Sequence, residues 1–340
     1  MKSKKTTDWQ LFGWHGLTFQ VPVAWNLGKV SGDFKSGYVR LDDAEIVRVE
    51  VEWREGKGAL PISVIVDRYI SALQEKAKKN NAMLEVTRGA DFLDGGIEGA
   101  DFELFMWEAD YRAYNIAWRC ETCGRIVLLR VLSKLKEKMS DVAAAVMRSL
   151  QDHTSDDKDV WSIYDLRCRV PTEFNLEEYT LKSGHIGLTL ERGREILQVH
   201  RASLANVLLK NKSLEGWFLE FFRKSLKNLD YVCEEKDIIG HQGIVLTGTP
   251  RSRWRQFLMP LPFVYRRPRQ FLDGRAWYCP DSNKIYAVLY LYRKRGEGGD
   301  VAEVMSREVV CHETEGSYQP GGDAELKAGT QPGTEVGKGR

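Results

Sequence analysis

The sequence predicts an α+β protein built from two similar domains, each with helices packed on an antiparallel sheet. Three observations lead to this class. Short motifs recur in the same order in both halves of the 340-residue chain. Within each half, strand-like segments are separated along the chain from helix-like ones, an order that favours an antiparallel sheet. A composition of 43% hydrophobic and 29% charged residues is typical of globular domains.

Six pairs of short motifs carry the repeat. The clearest is Val-Pro-x-x-Trp/Phe-Asn-Leu, which occupies residues 21–27 and again 170–176. The other pairs are 35–39 with 182–186, 45–49 with 195–199, 96–99 with 240–243, 118–120 with 277–279, and 141–143 with 300–302. Because all six pairs keep one order, we predict a first domain over residues 8–152 and a second over 160–313, joined by a polar linker.

The first domain is expected to begin with three strands. Alternating apolar and polar residues predict them at 17–21, 38–41 and 46–53. The first strand ends at Pro22, which has no N–H group to donate within a sheet. Further strand-like segments cover 84–87, 99–107, 114–120 and 125–132.

Helices are predicted to cover the sheet of each domain. In the first domain, Pro61 suits the first turn of a helix whose apolar stripe runs from Ile62 to Leu73. A closing helix carries Val142, Val146 and Leu150. The stripe that corresponds to the first helix in the second domain consists of Leu214, Phe218, Phe221, Phe222 and Leu229.

The sequence offers no signal for a membrane or secreted protein. No stretch approaches the roughly 20 apolar residues that cross a bilayer, and no apolar segment follows the basic start of the chain. Six cysteines in 340 residues are too sparse for a disulfide scaffold. We therefore expect a cytoplasmic protein with a disordered tail over residues 314–340, where large apolar side chains are almost absent.

One phrase near the start of the chain suggests a family. Phe19, Val21, Pro22 and Trp25 form Phe-x-Val-Pro-x-x-Trp, which, with the element order and a Gly-x-x-Gly before a central strand, resembles the Mog1/PsbP-like fold. The resemblance covers most of residues 8–313. It implies an α-β-α sandwich that serves as a binding module, for a small GTPase in one branch and a photosynthetic membrane complex in another. No partner-contacting residue can be matched, so it implies a fold and not a partner.

The second domain carries an insertion within residues 250–270, where arginines alternate with aromatic side chains. Arginine pairs with carboxylate or phosphate, and aromatic rings fill a partner's pockets or stack on bases. The candidate binding residues are Arg253, Trp254, Arg255, Arg266 and Arg267. The alternative is a solvated hairpin whose aromatic residues pack back on the domain.

These features predict a non-enzymatic protein-binding or adaptor module. Its net charge of +2 excludes nucleic-acid binding by bulk charge alone, so an acidic protein surface is the first expected partner. Nucleic-acid binding through the same arginine-rich insertion is an alternative function.

A Cys-x-x-Cys-Gly segment with Cys120 and Cys123 resembles a zinc knuckle, and zinc is the one cofactor that the sequence suggests. Two thiolates make half of a tetrahedral site. Cys279, at the matching place in the second domain, is a candidate to complete it with His185 or His241. The alternatives are a metal-free turn that holds two thiols, and a redox dithiol, which normally lies at the start of a helix.

No complete catalytic set is found, and we predict that the protein is not an enzyme. His241 lies at a strand entry, but no acid or nucleophile is spaced with it. Phosphate-binding loops, nucleophile elbows and zinc-protease helices are absent from the sequence. Since only His15 and His153 precede the second domain, no arrangement of histidines is expected to repeat.

Overall fold

The computed structural model of the chain describes residues 8–56, 60–93, 101–154, 156–251, 270–294 and 300–312. Of these residues, 53% lie in strands and 18% in helices. The strands form three antiparallel sheets of six or seven strands each. The predicted α+β class is therefore wrong, because the fold is mostly β. The predicted tail and residues 252–269 of the predicted insertion lie outside the described residues.

The first seven-stranded sheet comes from the first half of the chain. Alternation of apolar and polar residues in its central strands buries one set of side chains, as in Val49, Val51 and Trp53. Its strands are β3 (Asn26–Gly32), β4 (Ser36–Asp42), β5 (Val47–Arg54), β6 (Glu85–Arg88), β7 (Asp101–Glu108), β8 (Tyr111–Arg119) and β9 (Ile126–Lys134). Their spatial order is β3-β4-β5-β9-β8-β7-β6.

The second seven-stranded sheet comes from the second half. Its strands are β13 (Asn175–Lys182), β14 (His185–Arg192), β15 (Glu195–Ser203), β16 (Leu229–Ile238), β17 (His241–Pro250), β18 (Phe271–Cys279) and β19 (Lys284–Tyr292). Their spatial order, β13-β14-β15-β19-β18-β17-β16, follows the same pattern as the first sheet.

A third sheet is shared by the two halves. Its strands are β1 (Trp9–Trp14), β2 (Leu17–Pro22), β10 (Gln151–Asp152), β11 (Lys158–Ile163), β12 (Leu166–Pro171) and β20 (Val309–Val310). In the spatial order β10-β2-β1-β11-β12-β20, each half supplies three adjacent strands. The halves meet where β1 pairs with β11, with Gly13 opposite Ser162. The predicted linker thus runs into β11, and the division of the chain into two domains stays a prediction.

Six helices occur among the described residues. As predicted, α1 (Ile62–Lys79) begins directly after Pro61, whose fixed backbone angle suits that position. The helix predicted to reach Leu229 is interrupted, because Leu229 begins β16. The others are α2 (Ser140–Arg148), α3 (Ala205–Leu208), α4 (Leu214–Phe221), α5 (Arg223–Leu226) and α6 (Val301–Arg307). Within the described part of the chain, no helix combines the length and apolar character needed to cross a membrane.

The main hydrophobic core explains why the class differs from the prediction. It joins residues of the shared sheet, such as Trp14 and Trp161, to residues of both seven-stranded sheets, such as Val51 and Val199. The rings of Trp14 and Trp161 meet edge to face at 5.1 Å, across the junction of the halves. The sequence predicted that helices would cover the apolar faces of the sheets. In the structure, the shared sheet packs on apolar residues of both seven-stranded sheets instead.

Candidate functional site

Four potential metal ligands meet at one corner of the second half. Cys279 is the last residue of β18, and His241 is the first residue of β17. Because these strands are antiparallel neighbours, with Gly243 opposite Trp277, the start of one lies beside the end of the other. Cys311 and His312 follow β20 and approach from the shared sheet. Elements distant in sequence therefore bring two thiols and two imidazoles together.

The distances within this second-half cluster suit a single ion. All four donor atoms lie within 4.8 Å of one another. Cys311 Sγ is 3.3 Å from His241 Nε2 and 3.2 Å from His312 Nδ1, and Cys279 Sγ is 3.4 Å from the same Nδ1. Bond lengths of about 2.3 Å to sulfur and about 2.0 Å to nitrogen place tetrahedral ligands about 3.3–3.8 Å apart.

Burial shifts the protonation of the ligands in the second-half cluster. Burial raises the pKa of the Cys311 thiol to about 11, and nearby Cys279 adds to the shift. Burial also lowers the pKa of His241, with His312 as a further cause. The metal-free cluster thus holds a protonated Cys311 and a neutral His241, and an ion would displace the thiol proton. The carboxylate of Asp281 lies 3.8 Å from His312 Nδ1 and adds negative charge at the edge.

A second cluster lies in the first half of the chain. Cys120 follows β8, and Cys123 lies in the turn between β8 and β9. Asp152 ends β10, and His153 comes directly after it. The four potential ligand atoms of this first-half cluster also lie within 4.8 Å of one another.

Asp152 in the first-half cluster forms an ion pair with Arg125. The exposed fractions of the two side chains are 0% and 1%, and Arg125 Nη2 donates to Asp152 Oδ1. Arg125 Nη1 also donates to the carbonyls of His15 and Phe34, at 3.0 Å each. Burial, followed by the charge of Asp152, raises the pKa of Cys123 to about 12. Arg125 therefore fixes the position of the carboxylate inside the cluster.

The structure divides the three predicted metal ligands between two clusters. Cys120 and Cys123 lie together, as the Cys-x-x-Cys spacing predicts, but Cys279 lies in the second-half cluster with His241. His185 belongs to neither, since its Nε2 lies 3.1 Å from His200 Nδ1. The prediction of one site that contains all three cysteines was wrong. Cys120 and Cys279 occupy matching positions in the two halves of the chain, and each half forms its own cluster.

Sequence reasoning missed four of the candidate ligands, namely Asp152, His153, Cys311 and His312. Asp152 ends the predicted first domain, and His153 falls in the predicted linker. His153 matches His312, but Cys123 stands in place of His241, so the two clusters do not share an arrangement of several histidines. A signal was present: His153 follows Cys120 by 33 residues, the same separation as between Cys279 and His312. A shared separation of this length becomes visible only when the two halves of the sequence are aligned over their whole length.

A cavity of about 500 Å³ lies where the shared sheet meets the ends of α2 and α6. Its lining contains four arginines and one acidic residue, Glu308, together with apolar side chains such as Leu11 and Val310. The arginines are Arg148, Arg167, Arg169 and Arg307. Both halves of the chain contribute to it. The five binding residues predicted from sequence, Arg253, Trp254, Arg255, Arg266 and Arg267, lie outside the described residues.

Comparison with known proteins assigns no family. No protein-family model matches the chain, and no curated protein matches it. Among solved structures, the chain is similar to the T6SS immunity protein TplEi from Pseudomonas aeruginosa, complexed with "L" peptide. The identity is 10%, the match covers 90% of this chain and 94% of that chain, and the TM-score is 0.33. A score this low supports no statement about fold or function, and the Mog1/PsbP-like resemblance stays a prediction.

Proposed function

We propose that the protein binds zinc through His241, Cys279, Cys311 and His312, and that the ion serves a structural role. The observation that carries this proposal is the convergence of four donor atoms within 4.8 Å. Two thiolates and two imidazoles make a ligand set typical of closed structural zinc sites. Soft sulfur ligands disfavour magnesium and calcium, which prefer oxygen.

The position of the site supports a structural role rather than catalysis. Cys279 is buried, and Cys311 is only 7% exposed. With four protein ligands, a tetrahedral ion has no open position for water or substrate. The ligands come from β17, from β18 and from the segment after β20, so one ion would tie the end of the described chain to the second seven-stranded sheet.

The test is metal analysis of the purified protein and its variants. We expect His312→Ala and Cys279→Ser each to reduce the zinc content by one ion per chain, because three ligands bind far more weakly than four. Cys233→Ser is the matched control, since Cys233 is a half-buried cysteine outside both clusters. Chelation is expected to lower the Tm of the unmodified protein, since binding to the folded state alone adds stability.

The His312→Ala variant keeps the test decisive, because His312 is partly exposed and its loss disturbs packing less than loss of a buried thiol. Circular dichroism confirms that the variants remain folded. A zinc content that is unchanged in folded His312→Ala and Cys279→Ser proteins would contradict the proposal.

A second candidate function is binding of an acidic protein segment, the partner predicted from sequence. The supporting observation is the arginine-lined cavity between the halves, whose size suits a few side chains of a partner. Its apolar patches would contact a peptide's side chains while the arginines pair with carboxylates. Binding by the insertion residues Arg253, Trp254, Arg255, Arg266 and Arg267 stays a prediction from the sequence.

A further inference from the structure

We infer that the protein holds a second metal ion, in the first half, bound by Cys120, Cys123, Asp152 and His153. This inference goes beyond the second-half zinc site, because it concerns different residues and a different set of donor atoms. It also gives the two ions the same structural role, because each ion would hold one of the two outer strands of the shared sheet in place.

The turn that carries the two cysteines has the backbone of a metal-binding knuckle. Gly124 N donates to Cys120 O at 2.9 Å, and Cys120 N donates to Arg125 O at 2.9 Å. Gly124 has φ +72, a left-handed conformation that glycine adopts without the steric cost of a side chain. The chain thus folds back on itself within five residues, and the thiols of Cys120 and Cys123 approach one point.

The other two donors reach this point from β10. Asp152 Oδ2 lies 3.6 Å from Cys123 Sγ and 3.7 Å from His153 Nε2. These separations lie within the range of about 3.3–3.8 Å between ligand atoms in a tetrahedral zinc site. Arg125 holds both oxygens of this carboxylate, since Nη2 donates to Oδ1 and Nε donates to Oδ2 at 3.1 Å, and so fixes the carboxylate beside Cys123 and His153. Ligating carboxylates are commonly positioned by such outer partners.

With both thiols deprotonated, the charges of the first-half cluster and Arg125 balance when a divalent ion is bound. Two thiolates and one carboxylate carry three negative charges, and Arg125 supplies one positive charge. A divalent ion supplies the remaining two. In the second-half cluster, two thiolates alone balance the ion, and no arginine ion pair is needed there. Buried charges are stable only when they are compensated in this way.

The two clusters occupy corresponding places in the fold. Cys120 follows β8 and Cys279 ends β18, and these strands hold the fifth place in their respective seven-stranded sheets. Asp152 and His153 end and follow β10, and Cys311 and His312 follow β20; β10 and β20 are the two outer strands of the shared sheet. The donor sets differ, since Asp152 stands where the second half has Cys311, and Cys123 takes the role of His241.

Both outer strands need support from outside their sheet. β10 and β20 are two residues long, and each pairs with its neighbour at only two positions. Such short strands fray easily, because few hydrogen bonds oppose the chain entropy. A metal ion that joins each strand end to a hairpin of a seven-stranded sheet would lock it in place, as a cross-link does.

The experiment counts zinc per chain by mass spectrometry of metals, on full-length protein purified with reductant and added zinc. We expect two ions in the unmodified protein, one in Cys123→Ser, one in His312→Ala and none in the double variant. Cys233→Ser again serves as the control and should keep two. Cys123 is exposed, so serine at this position is compatible with the fold.

A second variant and a second metal test whether loss of zinc reflects loss of a ligand rather than unfolding. His153 has φ 69, and asparagine tolerates that conformation, so His153→Asn removes the ligand while it keeps the backbone. Titration with cobalt alone should give thiolate-to-cobalt absorption that saturates at two equivalents, and at one equivalent in His153→Asn.

The outcomes separate this inference from the proposed function. One zinc per chain that persists in Cys123→Ser and His153→Asn but is lost in His312→Ala would overturn the inference and leave the second-half site intact. Zinc that is lost from Cys123→Ser but unchanged in His312→Ala would support the first-half site and contradict the proposed one. No bound zinc or cobalt in the unmodified protein would refute both.

Discussion

At the scale of single residues, the stacked pair of His185 and His200 links the stability of the fold to pH. His200 Nδ1 lies 3.1 Å from His185 Nε2, and the two rings stack at 5.3 Å. The rings of Phe221 and Phe222 close over His200. Gly187 lies directly opposite His200 in the sheet, and an added Cβ there would come within 2.4 Å of its Nδ1. The imidazole therefore sits in an apolar pocket that fits it closely.

This pocket predicts a loss of stability in mild acid. Burial, followed by the charge of His185, lowers the pKa of His200 to about 3. An unfolded histidine has a pKa of about 6.5, so below that pH the unfolded state binds a proton that the folded state does not. Stability is therefore lost as the pH falls from about 6.5 towards 3, by roughly 2–3 kcal/mol at about pH 4.5.

Urea unfolding at pH 7 and pH 4.5 measures this effect in unmodified protein and in His200→Phe, which keeps an aromatic ring but does not titrate. The variant should lose less stability on acidification than the unmodified protein. Other groups, such as His15 with its pKa of about 4, contribute equally to both chains and cancel in the comparison. Equal acid sensitivity of the two proteins would show that His200 is protonated in the folded state.

At the scale of elements, the pairing of β1 with β11 is the point at which the two halves become one sheet. Gly13 occupies this junction, opposite Ser162. A Cβ at Gly13 would lie 2.6 Å from Val160 O and 3.1 Å from Ser162 N, which are backbone atoms of the neighbouring strand. Backbone atoms cannot move aside as the end of a flexible side chain can, so the close approach requires glycine.

We expect Gly13→Ala to destabilise the protein by about 1–3 kcal/mol, because the extra methyl group forces the strands apart. Gly216→Ala is the control. Gly216 lies in α4, and its added Cβ would meet Ser213 Oγ at 3.4 Å and Lys212 Cβ at 3.7 Å, which are ordinary contacts with side chains. Alanine favours the helix there by up to about 1 kcal/mol. Thermal unfolding should show a lower Tm for Gly13→Ala and a higher Tm for Gly216→Ala than for the unmodified protein. An unchanged Tm in Gly13→Ala would contradict the role assigned to the junction.

At the scale of the whole molecule, the arginine-lined cavity exists only because the two halves share a sheet. Arg148 comes from the first half, and Arg167, Arg169 and Arg307 come from the second. Arg169 and Arg307 already pair with Asp156 and Glu303, so a partner's carboxylates would have to join or replace these contacts. Affinity would then depend on several arginines rather than on one.

We expect the double variant Arg167→Glu and Arg307→Glu to weaken binding of a fluorescent poly-glutamate peptide by tenfold or more, because it reverses two charges in the cavity lining. Fluorescence anisotropy measures the affinity. Arg251→Glu is the control, since this exposed arginine does not line the cavity. No binding of the peptide by the unmodified protein would refute the candidate function. Tighter binding of single-stranded RNA, with a steep dependence on salt, would favour nucleic acid instead.

The sequence by itself determined most of the local structure. Apolar alternation predicts β2 and most of β4, proline geometry predicts the start of α1 after Pro61, and the Cys-x-x-Cys spacing predicts the turn at Cys120. These are short-range properties, because a residue's preference and its near neighbours decide them. The first-half thiols could be named as ligands for that reason.

Only the tertiary structure decided which distant segments meet. The pairing of β1 with β11, the shared sheet that makes the fold mostly β, and the approach of His153 to Cys120 and of His312 to Cys279 all join residues far apart along the chain. Chain entropy opposes such contacts, and they form where large apolar faces are buried together, as around Trp14 and Trp161. The residue pattern of one segment shows that the segment has an apolar face. Which other segment covers that face depends on the whole fold.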